Sequence, residues 1–115
     1  MFTLRRNNKN DIEPEEAFEL IITNNNKDGF VILDVRTPEE YGETHIENSL
    51  NINYNSKYFK LEIEKLDKNK KYLVYCHSGR RSSNAIKTMK KSGFEDLKNI
   101  SGGIRKWKKN NLPLI

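Results

Sequence analysis

The chain has 115 residues, 35% of them hydrophobic and 32% charged, with a formal net charge of +5. That length suits one domain over residues 1–115, with a core that needs neither disulfides nor metal. A single cysteine excludes an internal disulfide and a zinc site built mainly from cysteines.

Met1 to Asn8 carries the basic pair Arg5-Arg6 with no apolar run behind it, so no export signal is predicted and a reducing cytoplasm is the expected setting. No window approaches the roughly 18 consecutive apolar residues of a membrane span, and no membrane partner is expected. Pro14, followed by Glu15 and Glu16, opens a helix through Ala17, Phe18, Leu20, Ile21 and Ile22. Asn24 to Asn26 and Asp28-Gly29 end it. Phe30-Val31-Ile32-Leu33, closing on Asp34, reads as a strand buried on both faces. Thr37-Pro38-Glu39-Glu40 opens a second helix, with Thr37 as N-cap, Pro38 at the first helical position and Glu40 completing a capping box.

Ser49 to Ile52 reads as a weaker strand, and residues 54 to 67 fit either a helix or an irregular connection. Tyr72-Leu73-Val74-Tyr75, closing on Cys76, is a second fully buried strand. Ser82 to Lys91 is helical, with Ala85, Ile86 and Met89 on one face and Gly93 just past its end. Leu97 to Ile100 is a strand stopped by Ser101-Gly102-Gly103. Gly103 to Asn110 is a last short helix carrying Ile104 and Trp107 on one face. Strands alternating with helices predict an α/β domain with a mainly parallel sheet and helices on both faces. In such sheets the functional site lies beyond the carboxyl ends of the strands, where both Asp34 and Cys76 fall.

The segment that carries chemistry is Cys76-His77-Ser78-Gly79-Arg80-Arg81-Ser82. An apolar strand delivers a cysteine into a small polar loop, and a helix follows at once. A helix N-terminus supplies unpaired N–H donors and partial positive charge, and a loop curled around sulfur turns further N–H groups inward as a nest. Gly79 permits a backbone conformation closed to other residues. Arg80 and Arg81 add positive potential, so the loop favours a nucleophilic thiolate over an inert core thiol.

The chain resembles the rhodanese family, and the likeness covers nearly its whole length. The residues that carry it are Leu33-Asp34-Val35-Arg36, Glu40-Tyr41, His45-Ile46 leading to the strand at Leu50, the loop Cys76-x-Ser78-Gly79-x-Arg81-Ser82, Gly102-Gly103-x-x-x-Trp107, and Leu112-Pro113. The family commonly has glycine where this chain has Thr44 and Asn111, and small residues where it has Asn48-Ser49. Asparagine tolerates left-handed backbone, so the turn at Asn111 can survive. The resemblance implies a three-layer α/β/α sandwich around a five-stranded, mostly parallel sheet. It implies a sulfurtransferase in which Cys76 takes sulfane sulfur from thiosulfate or a protein persulfide, holds it as a persulfide, and passes it to a thiophilic acceptor such as cyanide, a small thiol or a protein. No cofactor and no metal is implied.

Within that reading, Cys76 is the nucleophile, and His77, Ser78, Gly79, Arg80, Arg81 and Ser82 form the loop that binds the anion. Arg80 faces the donor, and Arg81 organises the loop. Adjacent loop residues rarely point to the same place, so His77 is not read as a catalytic base. Asp34 bonds loop backbone near the site, Arg36 pairs with Glu40 four residues on, His45 is structural, and Trp107 packs in the core. The net charge favours small anions or acidic protein surfaces as partners. The lysines are dispersed beside acidic residues and no nucleic-acid motif is present, so nucleic acid is not expected. One alternative is a binding or regulatory module that uses the fold without turnover. The other is a cysteine phosphatase or arsenate reductase, which needs Cys-x5-Arg; the position that arginine would take is Ser82.

Overall fold

The computed structural model describes residues 9–24 and 27–115. The expectations for Met1 to Asn8, and for Asn25 and Asn26 at a helix end, lie outside the described residues. Ten elements follow in order: β1 (Asp11–Ile12), α1 (Pro14–Thr23), β2 (Phe30–Asp34), α2 (Pro38–Glu43), β3 (Leu50–Asn51), α3 (Phe59–Ile63), β4 (Lys71–Tyr75), α4 (Arg80–Lys91), β5 (Asp96–Ile100) and α5 (Gly103–Lys109). The sheet has the order β1-β5-β4-β2-β3, and each neighbouring pair is parallel. The two apolar runs at β2 and β4 lie side by side in its middle, in register from Phe30 opposite Lys71 to Asp34 opposite Tyr75.

Two connections set the layers. The step from β1 to β2 crosses the sheet one way, and the step from β4 to β5 goes the other. Right-handed crossovers therefore send α1 and α4 to opposite faces. Side-chain alternation divides the core accordingly. Leu33, Val35, Tyr72, Val74, Cys76 and Leu97 pack against α3 and α4. Ile32, Leu73, Tyr75 and Ile100 pack against α1 and α5, where Trp107 meets the ring of Phe18 edge-on. The result is the expected three-layer α/β/α sandwich.

Local expectations hold in detail at α2: Thr37 Oγ1 accepts from the Glu40 amide at 3.2 Å and Glu40 Oε1 accepts from the Thr37 amide at 3.1 Å, a closed capping box. Ser82, Ala85, Ile86 and Met89 form the buried stripe of α4. Asn48 and Asn111, two of the departures from the family pattern, both adopt left-handed backbone, at φ 70° and 59°. The ambiguous stretch 54–67 resolves into turns around the short α3, which buries Phe59 and Ile63. The sequence pattern misses β1, a two-residue edge strand whose partners are Asn99 and Ile100. Among the described residues no helix is long and apolar enough to cross a membrane.

Candidate active site

From the middle of the sheet, β2 leads on toward β3 at one edge, while β4 leads to β5 on the other side. The crevice between their carboxyl ends is the switch point at which open parallel sheets bind ligands. Asp34 and Cys76 both lie there, since Asp34 is in register with Tyr75 and the Val35 amide donates to Tyr75 O at 3.0 Å.

Alternation along β4 turns Cys76 toward α4, and it is 1% exposed. Gly79, the residue that caps α4, donates its backbone N–H to Cys76 Sγ at 3.0 Å. This is possible because Gly79 takes φ +106°, and the space where a side chain would stand is only in ordinary contact with its neighbours. Conformation rather than crowding therefore calls for glycine here. Ser82 Oγ, one turn into α4, lies 3.4 Å from the same sulfur. The sequence predicts several inward N–H groups; among the described residues Gly79 supplies the one backbone donor to Sγ. The thiol thus packs against aliphatic neighbours on one side and meets a polar helix entrance on the other.

The loop is held from behind by α5. The Ile104 amide donates to Cys76 O at 2.8 Å and the Arg105 amide to His77 O at 3.0 Å. Gly103 makes that approach possible, because a Cβ there would collide with both carbonyl oxygens. Among the described residues the exposed His77 ring has no hydrogen-bond partner. Arg80 is also exposed and lines a polar depression with Ser78, Gly79 and Ser83. A second depression, sharing Ser78 and Gly102, is lined by Arg105, Lys106 and Lys109. Positive side chains therefore border the loop on both sides.

The expected pairing of Arg36 with Glu40 does not occur. Arg36 instead grips Asp34 in a buried bidentate pair, with Nη2 2.8 Å from Oδ2 and Nε 3.1 Å from Oδ1, and its amide also donates to Asp34 Oδ1 at 2.8 Å. The loop backbone that Asp34 bonds is thus that of Arg36. The guanidinium also donates to Thr44 O and lies over the Tyr75 ring. Glu40 takes Arg81 instead, in a second bidentate pair at 2.8 and 3.0 Å that ties the first turn of α4 to α2. The Arg81 guanidinium, more than desolvation opposes it, holds the Glu40 carboxyl down at about 2. His45 stacks on Tyr41 and hydrogen-bonds Tyr41 O, in keeping with a structural role.

Because the carboxyl of Glu40 is depressed in the folded chain, the pair stabilises at pH values above the ordinary 4.5 and that contribution is lost as pH falls toward about 2. Partial exposure limits it to about 1 kcal/mol. Glu40→Gln keeps the capping box, so urea titrations of the two proteins should differ by about that amount at pH 7. The difference should shrink below pH 4.5 and vanish near pH 2; a constant difference across that window would show that the ion pair is not its source.

Sequence reasoning passed over two residues that build the loop. Gly103 enters the sequence reading as a strand stop, a helix start and part of a family motif, but not as a residue that seats the loop. Asn99 is a polar residue on the same core-facing side of β5 as Leu97, a break in alternation that could have flagged it. Among the described residues no cluster of His, Cys, Asp and Glu is arranged to hold a metal.

Comparison with known proteins bears on the family and the fold. A family model described as a rhodanese-like domain matches residues 13–110. A thiosulfate sulfurtransferase, GlpE, of Coxiella burnetii is 37% identical over 95 residues, which cover 81% of each chain. A putative sulfur carrier protein of Bacillus subtilis, YrkF, is 42% identical over 80 residues, 66% of this chain but only 40% of that protein's length. The crystal structure of a rhodanese-related protein from Thermoplasma volcanium superposes with a TM-score of 0.77 at 28% identity, covering 91% of this chain and 96% of the other. With its parallel sheet, its cysteine loop at the switch point and a match across most of its length, the chain belongs to the rhodanese-like domain family.

Proposed function

We propose that the chain works as a single domain and is a sulfurtransferase with Cys76 as its sulfur-carrying nucleophile. The observation that carries this reading is the Gly79 N–H aimed at Sγ at 3.0 Å, at the entrance of a helix. A donor fixed in that place stabilises negative charge on sulfur without reorganisation during the reaction.

In the first step the Cys76 thiolate attacks the outer sulfur of thiosulfate. A new S–S bond forms, the bond to the sulfonate group breaks, and sulfite leaves with the electron pair. Cys76 is left as a persulfide anion. In the second step a thiophilic acceptor attacks the outer sulfur, takes it, and returns the thiolate, so one transfer is divided into two easier ones. Arg80, with Arg105 and Lys109 across the loop, draws the anionic donor to the mouth. Arg81 is committed to Glu40 and holds the first turn of α4, while Ser78 borders both depressions. The names of the relatives support thiosulfate or a sulfur-carrying protein as the partner class.

The test is intact mass after incubation with thiosulfate, followed by peptide mapping. One added sulfur atom on Cys76, removed by cyanide, is the expected result. A folded chain that never acquires the sulfur would favour a binding module instead.

A further inference from the structure

Asn99 is 1% exposed and belongs to β5, where it sits opposite Val74. A buried amide in that place needs its hydrogen bonds supplied by protein. Its Nδ2 donates to Asp11 Oδ1 at 2.8 Å and to Ser83 Oγ at 3.2 Å, and its Oδ1 accepts from Ser82 Oγ at 2.6 Å. A carboxylate only accepts, so Asp11 decides which end of Asn99 faces it and leaves the carbonyl for Ser82. Ser82 Oγ also lies 3.1 Å from Gly79 O and 3.4 Å from Cys76 Sγ. One hydroxyl carries one proton. It serves one acceptor at a time, and the shortest contact marks Asn99 as its resting partner.

We propose that Asp11 and Asn99 are positioning residues that govern, through Ser82, how the loop treats charge on the Cys76 sulfur. The idea deepens the sulfur-transfer reading and rests on it. With a neutral thiol the chain of bonds runs one way: S–H to Ser82, Ser82 to Asn99 Oδ1, Asn99 Nδ2 to the Asp11 carboxylate. The carboxylate polarises this chain and keeps the hydroxyl proton turned away from sulfur. When the sulfur is a thiolate or a persulfide anion, the hydroxyl rotates and donates to it in a charge-assisted bond. The proton stays on Ser82 throughout; only the rotor moves. Among the described residues the other charges near the loop are committed or exposed: Arg81 with Glu40, Arg36 with Asp34, Lys106 with Glu13, and His77, Arg80, Arg105 and Lys109 toward solvent.

The experiment is the pH–rate profile of iodoacetamide alkylation of the full chain, with folding checked by far-UV circular dichroism. Asp11→Asn keeps the shape and an acceptor but removes the buried charge. Its alkylation at pH 7 should be about threefold faster, with the profile displaced to lower pH. Ser82→Ala removes the donor, and its alkylation should be about threefold slower, with the profile displaced to higher pH. Displacements in these two directions support the relay; unchanged profiles, displacements of the same sign, or the reverse pair overturn it. If Ser82→Ala does not fold, the Asp11→Asn profile decides alone: faster supports, unchanged or slower refutes. Thiosulfate loading is read separately by mass. Opposed displacements without any persulfide on the wild-type chain would remove the sulfur-transfer reading and leave the relay standing.

Discussion

Cys76→Ser should fold as the wild-type chain does and transfer no sulfur. The substitution exchanges sulfur for a smaller oxygen at a position that is 1% exposed and keeps a hydrogen-bond acceptor beneath the Gly79 amide. The volume lost is small, so the melting temperature should stay within about 5 °C of wild type. Activity is a different matter. A serine hydroxyl at neutral pH is a weak nucleophile without a positioned base. Among the described residues nothing in the loop is placed as one, since the His77 ring has no hydrogen-bond partner and Ser82 rests on Asn99. Even an alkoxide could not hold sulfane sulfur as a stable, transferable adduct. Thiocyanate formation from thiosulfate and cyanide should therefore fall by at least about 10³-fold, as when other covalent enzymes lose their nucleophile. A serine variant with near-normal turnover would mean that sulfur passes directly from donor to acceptor, and the persulfide mechanism would be wrong.

The parts of the molecule legible in the sequence are those that rest on local physics. β2 and β4 are short unbroken apolar runs because both of their faces are covered, and such runs stand out without any partner being known. Thr37, Pro38 and Glu40 announce α2 because a capping box is closed within four residues. The polar loop after Cys76 is visible because nothing in it suits a continuing strand. What escaped notice depends on pairing across the chain. β1 is two residues long and exists as a strand only through β5. Arg81 and Glu40 are 41 positions apart, and no local pattern joins them. The misassigned partner of Arg36 has a simple cause. Pairing at four-residue spacing is a property of helices, and Arg36 precedes the N-cap at Thr37, so it never joins the helix that carries Glu40. The chain bends at Arg36, and its side chain folds back on Asp34. The polar relay behind Cys76 was invisible for the first of these reasons, since Asp11, Ser82 and Asn99 come from three separate elements.

Gly103→Ala should damage the chain more than Gly102→Ala, although both glycines have positive φ, at +61° and +75°. Each substitution incurs left-handed strain of roughly 1–2 kcal/mol. The neighbours then separate them. A Cβ at position 102 meets Lys106, whose outer carbons can swing away but whose Cβ, 2.6 Å off, is fixed to α5, so the start of that helix must give a little. A Cβ at position 103 meets the carbonyls of Cys76 and His77, which are backbone and are fixed by the amides of Ile104 and Arg105 at 2.8 and 3.0 Å. Room can be made only by pushing the cysteine loop off α5, which weakens both bonds and adds overpacking strain. Gly103→Ala is accordingly expected to cost about 4 kcal/mol, or on the order of 15 °C in melting temperature. Because the displaced atoms include the carbonyl of Cys76 itself, the sulfur leaves its place beneath the Gly79 amide, and kcat/KM for thiosulfate should fall about 10²-fold even at temperatures where the variant is folded. Gly102→Ala should lose about 2–3 kcal/mol, the strain plus the overlap with Lys106 Cβ, and keep activity within about threefold of wild type, because the atoms displaced belong to α5 and not to the cysteine loop. Equal losses in the two variants would show that the loop carbonyls yield as readily as Lys106 does. A near-normal Gly103→Ala enzyme would show that the loop does not lean on α5 for its position.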